Sequence, residues 1–203
     1  MKSPIGRATI DAFRDHIAGA NNPIAGGVAV ASVSAGLGMA LLALTLKVAS
    51  QRKDFGGDRA RLAKLLAAAK KESARLVRCA GQDISAYQQY RDSLKRKRRS
   101  TSVLRRIIES PLQAAGLAAR GLDLCQEAVF LVPLSVVSDL GAAATLLAGS
   151  VKAILLTVDV NIRQLPRSSQ LRHNVVKTRR QLQKSTARQL ERVLKDLDRL
   201  RGL

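Results

Sequence analysis

The sequence has no tryptophan, only two cysteines and only two histidines. These counts exclude a disulfide-stapled scaffold, a Cys/His zinc site and a haem-attachment motif, because each needs more of these residues. Two isolated cysteines, Cys79 and Cys125, without a signal-peptide pattern predict a reducing, cytoplasmic location. His16 and His173 lie far apart along the chain, and we predict both to be surface residues. No metal or redox cofactor is expected.

Acidic residues are also scarce. Lys and Arg number 35 against 15 Asp and Glu, which gives a formal net charge of +20 over 203 residues, and such a surface attracts anions. Residues 91–106 hold eight basic residues and one acidic residue, including the unbroken run Lys95–Arg99. Phosphate binding to a nucleic acid is one hypothesis for this run. An aromatic content of only 2% and the lack of a reader motif favour a solvated surface instead.

Two stretches with almost no charge, Ile24–Leu46 and Ala128–Val151, are long enough to cross a bilayer. The first consists mainly of Ala, Gly, Ser and Val, which contribute little to membrane insertion. The second carries Pro133 and Asp139, and a carboxylate at the bilayer centre costs roughly 2.5–3.5 kcal/mol. We therefore predict two buried helices and no membrane span.

Alanine and leucine recur at helical spacing, and alternating β-branched runs are few. The sequence predicts an all-α, single-domain bundle of long helices over residues 1–203. The expected helices run from Thr9 to Ile17, Gly26 to Ser50, Asp58 to Tyr90, Pro111 to about Val132, and Ser138 to Leu156. Thr9 and Asp58 are expected to be the N-cap residues of their helices. Residues 170–203 are expected to form an amphipathic helix with a basic outer face, since apolar side chains recur there every three or four residues.

Three ordered blocks resemble one known family. The first block begins with NPIAGGVAV at Asn22 and ends with SQRKDF, and the second is GQDISAY at 81–87. The third is the stretch VSDLGAAATLLAGSVKAILLTVDVNIRQL, which ends at Leu165. Over residues 11–165 the chain resembles the formiminotransferase-cyclodeaminase C-terminal family, which includes methenyltetrahydrofolate cyclohydrolases and formiminotetrahydrofolate cyclodeaminases.

The resemblance implies an all-helical homodimer that binds a reduced folate or pterin and needs no further cofactor. It places Asp83 on the family's functional aspartate, and a carboxylate beside a cyclic amidinium is suited to act as a general base. It implies these substrate-binding residues: Pro23, Gly26, Gly27, Arg52, Lys53, Ser138, Asp139 and Asn161. The chain departs from the family pattern at Val28, Lys47 and Thr157, and Val28 is expected to crowd the turn.

Each assignment has a structural alternative. Asp83 is a catalytic base, a carboxylate on a solvated helix face, or the partner of an arginine such as Arg78. Gly26 and Gly27 either admit a ligand to a helix N-terminus or form a tight, closely packed turn. Asp139 either borders the pocket or caps a helix. Further alternatives are that Asn161 bonds backbone and that Arg52 and Lys53 are solvated cations.

The favoured function is hydrolysis of methenyltetrahydrofolate to formyltetrahydrofolate. The nearest alternative is a formiminotetrahydrofolate cyclodeaminase or a related reduced-pterin enzyme. An alternative of another class is a catalytically degenerate member that acts as a basic module binding nucleic acid or protein.

Overall fold

The computed structural model describes residues 4–96 and 100–202, and within these ranges it contains helices and turns but no strand. The predicted all-α bundle is confirmed. Its six α-helices are α1 (Ile10–Ala18), α2 (Gly27–Gln51), α3 (Arg59–Lys95), α4 (Thr101–Ala128), α5 (Val137–Ile162) and α6 (Gln170–Arg201). Short 3-10 turns occupy Pro4–Arg7 and Leu134–Val136.

Side-chain caps fix the start of three helices. Thr9, Asp58 and Ser169 each accept a hydrogen bond from the backbone N–H three residues later, at 3.1, 2.9 and 3.2 Å. Such caps satisfy N–H groups that have no partner inside the helix. The Thr9 and Asp58 caps were expected from the sequence. At the other end of α6, Gly202 adopts φ 74°, the left-handed conformation that favours glycine.

The start predicted for α4 is wrong. The helix begins at Thr101, and Pro111 is buried inside it. Proline has no N–H and therefore cannot donate to the carbonyl of Ile107, four residues earlier. Asn161 of α5 supplies the missing donor, because its Nδ2 lies 2.8 Å from that carbonyl oxygen. A contact between helices thus allows α4 to continue through its proline.

Two other helices are longer than expected. α3 extends to Lys95 rather than Tyr90, and α5 starts at Val137 and reaches Ile162. The first part of the basic segment 91–106 is therefore helical. Of the run Lys95–Arg99, residues 97–99 lie outside the described residues.

Consecutive long helices pack antiparallel, with α2 in contact with α3, α4 and α5. The Ser73 hydroxyl of α3 donates to the Gly36 carbonyl of α2 at 2.8 Å, and small residues bring the backbones close elsewhere. A Cβ at Gly38 would lie 3.2 Å from the Ala143 carbonyl oxygen of α5. Leu42, Leu122 and other fully buried aliphatic side chains fill the space between the four helices. α6 packs on α4 and α5.

The two apolar helices behave as core elements of this bundle. α2 and the stretch Leu134–Ile162 are long and apolar enough to cross a membrane, and 56% of the apolar window in each is buried. The core helix of a soluble protein meets the same criteria. Length and composition alone therefore do not identify a membrane-spanning helix. That these two helices do not span a membrane stays a prediction.

Candidate active site

The predicted site residues fall at two opposite ends of the bundle. α2 has 25 residues and is therefore about 37 Å long. Gly26 and Gly27 stand at its start, and Arg52 follows its end. Because neighbouring helices are antiparallel, Asp83 lies at the level of the start of α2. We call these the Asp83 end and the Arg52 end.

Asp83 lies on α3 where that helix crosses the beginning of α2. Its neighbours Ala80 and Ile84 form a buried cluster with Ala25 and Ala29. The carboxylate is partly buried, and burial raises the pKa of Asp83 to about 6. Among residues 4–96 and 100–202 it forms no ion pair, so the expected pairing with Arg78 is not observed. A carboxyl group with a pKa near neutrality and no cation beside it is suited to proton transfer.

Gly26 and Gly27 leave the start of α2 open. Both are exposed, and a Cβ added to either would meet no atom within 4 Å. Gly26 has φ −94°, which other residues also adopt, and it provides no side-chain cap. The close-packing alternative is therefore wrong, because neither packing nor backbone conformation requires a glycine here. Of the residues whose N–H groups begin the helix, Gly27 is exposed, whereas Val28 and Ala29 are 2% and 0% exposed. The opening therefore presents the Gly27 N–H and the positive end of the helix dipole to a polar ligand group.

Val28 does not crowd this opening. Its side chain is 2% exposed and belongs to the main core. The valine therefore points away from the exposed turn, which corrects the expectation drawn from the sequence.

The turn before α2 is tied down from two sides. The Nε2 atom of His16 lies 2.8 Å from the Pro23 carbonyl oxygen, and since a carbonyl only accepts, the ring donates. Arg91 of α3 donates to the Asn22 side-chain oxygen at 3.0 Å. Pro23 itself is exposed and follows a cis peptide bond.

The sequence did not predict the role of His16, which was expected to be a surface residue. The ring is partly buried, whereas His173 is exposed as predicted. The only sequence signal for His16 is its position seven residues before Pro23, and no general spacing rule connects the two.

Asn161 lies at the Asp83 end, where its side chain is hydrogen-bonded to the backbone of α4. Its side-chain amide donates to the Ile107 carbonyl that Pro111 leaves free. The backbone-bonding alternative is thus the one observed. The amide N–H that makes this bond is not available to a ligand.

The Arg52 end is exposed and internally paired. Arg52 forms a bidentate ion pair with Asp54, and its carbonyl accepts from Arg59 at 3.0 Å. The hydrogen bond from Arg52 lowers the pKa of the Asp54 carboxyl. Lys53 is exposed. Both residues are therefore solvated cations, which was the alternative to substrate binding, although Arg52 also pairs with Asp54.

Ser138 and Asp139 lie in the first turn of α5, at this same end. The helix begins one residue earlier than expected, and its N-cap residue, Val136, provides no side-chain hydrogen bond. Asp139 is partly buried and does not act as the cap we expected. Its negative charge in the first turn still interacts favourably with the helix dipole.

Possible metal ligands are not clustered in the part of the chain that the structure describes. No group of three or more His, Cys, Asp or Glu side chains there is arranged to hold a metal ion. Cys79 and Cys125 are both buried, and burial raises the pKa of each thiol, that of Cys125 to about 12.

The family model of formiminotransferase-cyclodeaminase matches residues 9–181. The chain belongs to this family. The match extends beyond the three resembling blocks and includes the first part of α6. As a formiminotransferase-cyclodeaminase family member, the chain carries Asp83 and the Gly26–Gly27 turn inside the matched region.

A solved structure shows the same fold. The chain resembles formiminotetrahydrofolate cyclodeaminase from Thermotoga maritima with a TM-score of 0.87 and 18% sequence identity. The alignment covers 97% of this chain and 98% of that one. No curated protein matches the chain by sequence. The arrangement of helices in this family member is thus that of the cyclodeaminase structure over almost its full length.

Proposed function

We propose that this chain is a folate one-carbon enzyme that hydrolyses methenyltetrahydrofolate to formyltetrahydrofolate, with Asp83 as the general base. The observation that supports this most is the partly buried Asp83 carboxyl, which lies beside the open start of α2 and has no ion-pair partner among the residues that the structure describes. Membership in the formiminotransferase-cyclodeaminase family supports the substrate class.

The proposed reaction needs one base and no redox step. A water molecule attacks the central carbon of the cyclic amidinium while the Asp83 carboxylate accepts its proton. One ring C–N bond of the adduct then breaks as its hydroxyl proton is transferred to the leaving nitrogen, which keeps the electron pair of the broken bond. The hydroxyl oxygen becomes the carbonyl of a formyl group on the other nitrogen. Before attack, the carboxylate also stabilises the cationic substrate by electrostatic attraction.

The start of α2 is the proposed contact for a polar edge of the substrate. The N–H of the exposed Gly27 and the positive dipole end are suited to an oxygen or another electron-rich group. Gly26 and Gly27 let such a group approach, because nothing lies within 4 Å of their missing Cβ atoms.

The test is the rate of methenyltetrahydrofolate hydrolysis, followed by absorbance against the uncatalysed reaction. We expect Asp83→Asn to lower kcat by about 100-fold or more, the range typical of a lost general base. Glu72→Gln is the matched control, because Glu72 is another partly buried carboxylate on α3 but lies about three helical turns from Asp83 and pairs with Arg75. We expect it to change kcat less than threefold. Equal rates for the Asp83 variant and the parent would contradict the assignment.

A formimino substrate is the second candidate, favoured by the pKa of Asp83. With a pKa of about 6, both the protonated and the ionised form are populated near neutral pH. The protonated form can donate to the leaving ammonia when the neighbouring amine nitrogen of the folate attacks the formimino carbon and closes the amidinium ring. Release of ammonia from formiminotetrahydrofolate, measured beside the hydrolysis, decides between the two substrates.

We also propose that the protein is a homodimer joined through α2 and α5. Val30, Leu37 and Leu44 of α2 are exposed at seven-residue intervals, which places them on one face of the helix. Leu146 of α5 is exposed and lies beside Gly38. A contiguous apolar stripe of this kind is typical of a surface that associates.

A two-fold pairing of this stripe would join the two ends of the bundle. Leu37 lies near the middle of α2, so an antiparallel copy of α2 would place its own Arg52 segment near the Asp83 end. Sedimentation should give twice the chain mass of 21.8 kDa. Leu37→Glu should give a monomer, while Ile10→Glu, at a position 84% exposed on α1, should not. A monomeric parent protein would contradict this pairing.

A further inference from the structure

The cationic residues near the start of α6 surround a concavity that the proposed reaction does not use. It has a volume of about 640 Å³ and lies between α6 and the turn that follows α5. Five cationic side chains line it, and no carboxylate does: Arg167, Arg172, Lys177, Arg180 and Lys184. α6 packs on α4 and α5, whereas Asp83 lies on α3, so this concavity is separate from the candidate active site.

The positive charge of this concavity is not neutralised by the surrounding protein. Within residues 4–96 and 100–202, none of the five cations forms an ion pair. Asp159, on α5, is already held by Arg179 through two hydrogen bonds at 2.8 and 2.7 Å. A water-filled recess with like charges on its walls raises the local concentration of anions.

Arg172 lines the concavity with a guanidinium group that hydrogen bonds hold in position. It is partly buried, and its Nη1 atom donates to the carbonyl oxygens of Ile162 and Leu165 at 2.9 and 3.1 Å. These two carbonyls belong to the end of α5 and the turn after it. Their hydrogen bonds hold the guanidinium in place, so less conformational entropy is lost when it contacts a ligand.

The cations continue along α6 as a row. Lys177, Arg180, Lys184 and Arg188 are exposed and follow one another at intervals of three or four residues. They therefore share one face of the helix and span about 16 Å at 1.5 Å per residue. A single phosphate group is too small to contact such a row, whereas a polymer of phosphates can follow it.

We propose that this face of α6 binds the phosphate backbone of duplex nucleic acid without reading its sequence. Single strands are disfavoured because their binding sites rely on aromatic stacking, and only 2% of this chain is aromatic. A lipid surface is disfavoured because the apolar face of α6, including Val175, Val193 and Leu197, is buried in the bundle. The observations on the concavity and the row of cations place this binding on α6.

The test is binding of the full chain to a labelled 30-base-pair DNA of mixed sequence, followed by fluorescence anisotropy between 50 and 200 mM salt. The variant K177Q/R180Q/K184Q neutralises three cations of the row. The variant K64Q/K71Q/R78Q is its control, because it removes the same residue types and the same charge from exposed positions on α3. Thermal unfolding of both variants checks that each is folded.

We expect the α6 variant to weaken binding at least tenfold at 100 mM salt and the control to change it less than threefold. The slope of log K against log[salt] should fall in magnitude by about 2.7, since each lost phosphate contact contributes about 0.9. Equal weakening by both variants would show attraction by net charge alone and would overturn the proposal. Tighter binding to the single strand of the same length, to anionic vesicles or to polyglutamate would overturn it as well.

Discussion

Both ends of the bundle carry site residues that the family resemblance implies. The two ends differ in how far these residues are buried and in whether their charges are paired. At the Asp83 end, a carboxyl group is partly buried and forms no ion pair within residues 4–96 and 100–202, and the start of α2 is open around Gly26 and Gly27. At the Arg52 end, the arginine is exposed and already paired with Asp54. Burying a carboxyl group without a partner costs free energy, and nothing in the fold requires a carboxyl group at this position. Such a group indicates function more strongly than a motif match does.

The largest expected contrast between the two ends comes from adding a side chain to an open glycine. Gly27→Leu should lower kcat/KM about 10- to 100-fold, since the leucine would displace a substrate from the helix N-terminus. Its melting temperature should stay near that of the parent, because the new Cβ meets no atom within 4 Å. Gly56→Leu is the control, as Gly56 is equally open but lies just beyond α2 at the Arg52 end.

The outcome also tests whether the Asp83 end is the active site. An unchanged kcat/KM in Gly27→Leu would remove the start of α2 from the proposed pocket. A comparable loss in Gly56→Leu would contradict the placement of the site at the Asp83 end of a single chain.

A second comparison lies within the Asp83 end. Asp83 has the proposed catalytic role, whereas the side chain of Asn161 donates a structural hydrogen bond to the backbone of α4. Asn161→Leu should destabilise the protein by about 1–3 kcal/mol, because the Ile107 carbonyl is left without a donor. In a Pro111→Ala background the same change should cost less, since the new N–H of residue 111 can donate to that carbonyl. Urea unfolding of the four proteins measures the coupling, and additive effects would contradict this explanation of Asn161.

The sequence predicted the helices well where local signals act. The caps at Thr9 and Asp58 and the long helix after Gly26 follow from side chains only a few residues away. Pro111 misled the prediction, because the donor that lets α4 continue is Asn161, 50 residues further along the chain. Local patterns do not report such a long-range hydrogen bond.

The candidate site was predicted only in part for the same reason. Asp83 and the two glycines could be selected from motif order, but their proximity depends on how α2 packs against α3. The bond from His16 to Pro23 arises from the position of α1, which no motif encodes. The separation of Arg52 from Asp83 follows from the length of a straight helix and becomes clear only once α2 is seen to be continuous.

A third prediction uses pH to compare the folded and unfolded states of Asp83. Its pKa is raised from 3.8 to about 6 by burial, so the folded protein binds more protons than the unfolded chain between about pH 4 and 6. The contribution of Asp83 to stability therefore falls as pH rises through this window. Asp83→Asn should be more stable than the parent above pH 6, and the difference should vanish below about pH 4 in urea titrations.

The ionisation of Asp83 should also govern activity. Activity should increase with pH, whereas the contribution of Asp83 to stability decreases. The ionised form is the general base, so kcat/KM should rise with pH and level off above about pH 6. The stability gain and the activity loss of Asp83→Asn would then come from one carboxylate. A variant less stable than the parent at pH 7 would show that Asp83 has a favourable partner and would contradict the unpaired state.

The smallest effect is expected at the Arg52 end. Arg52 and Asp54 are exposed, and solvent screens an exposed ion pair while both side chains lose conformational freedom to form it. Arg52→Gln should therefore leave the urea midpoint unchanged within error. Its effect on KM is the informative readout. Within one chain Arg52 is a helix length away from Asp83, so a raised KM with unchanged stability requires that a second copy bring its Arg52 segment to the Asp83 end. An unchanged KM would confine the site to the Asp83 end of a single chain.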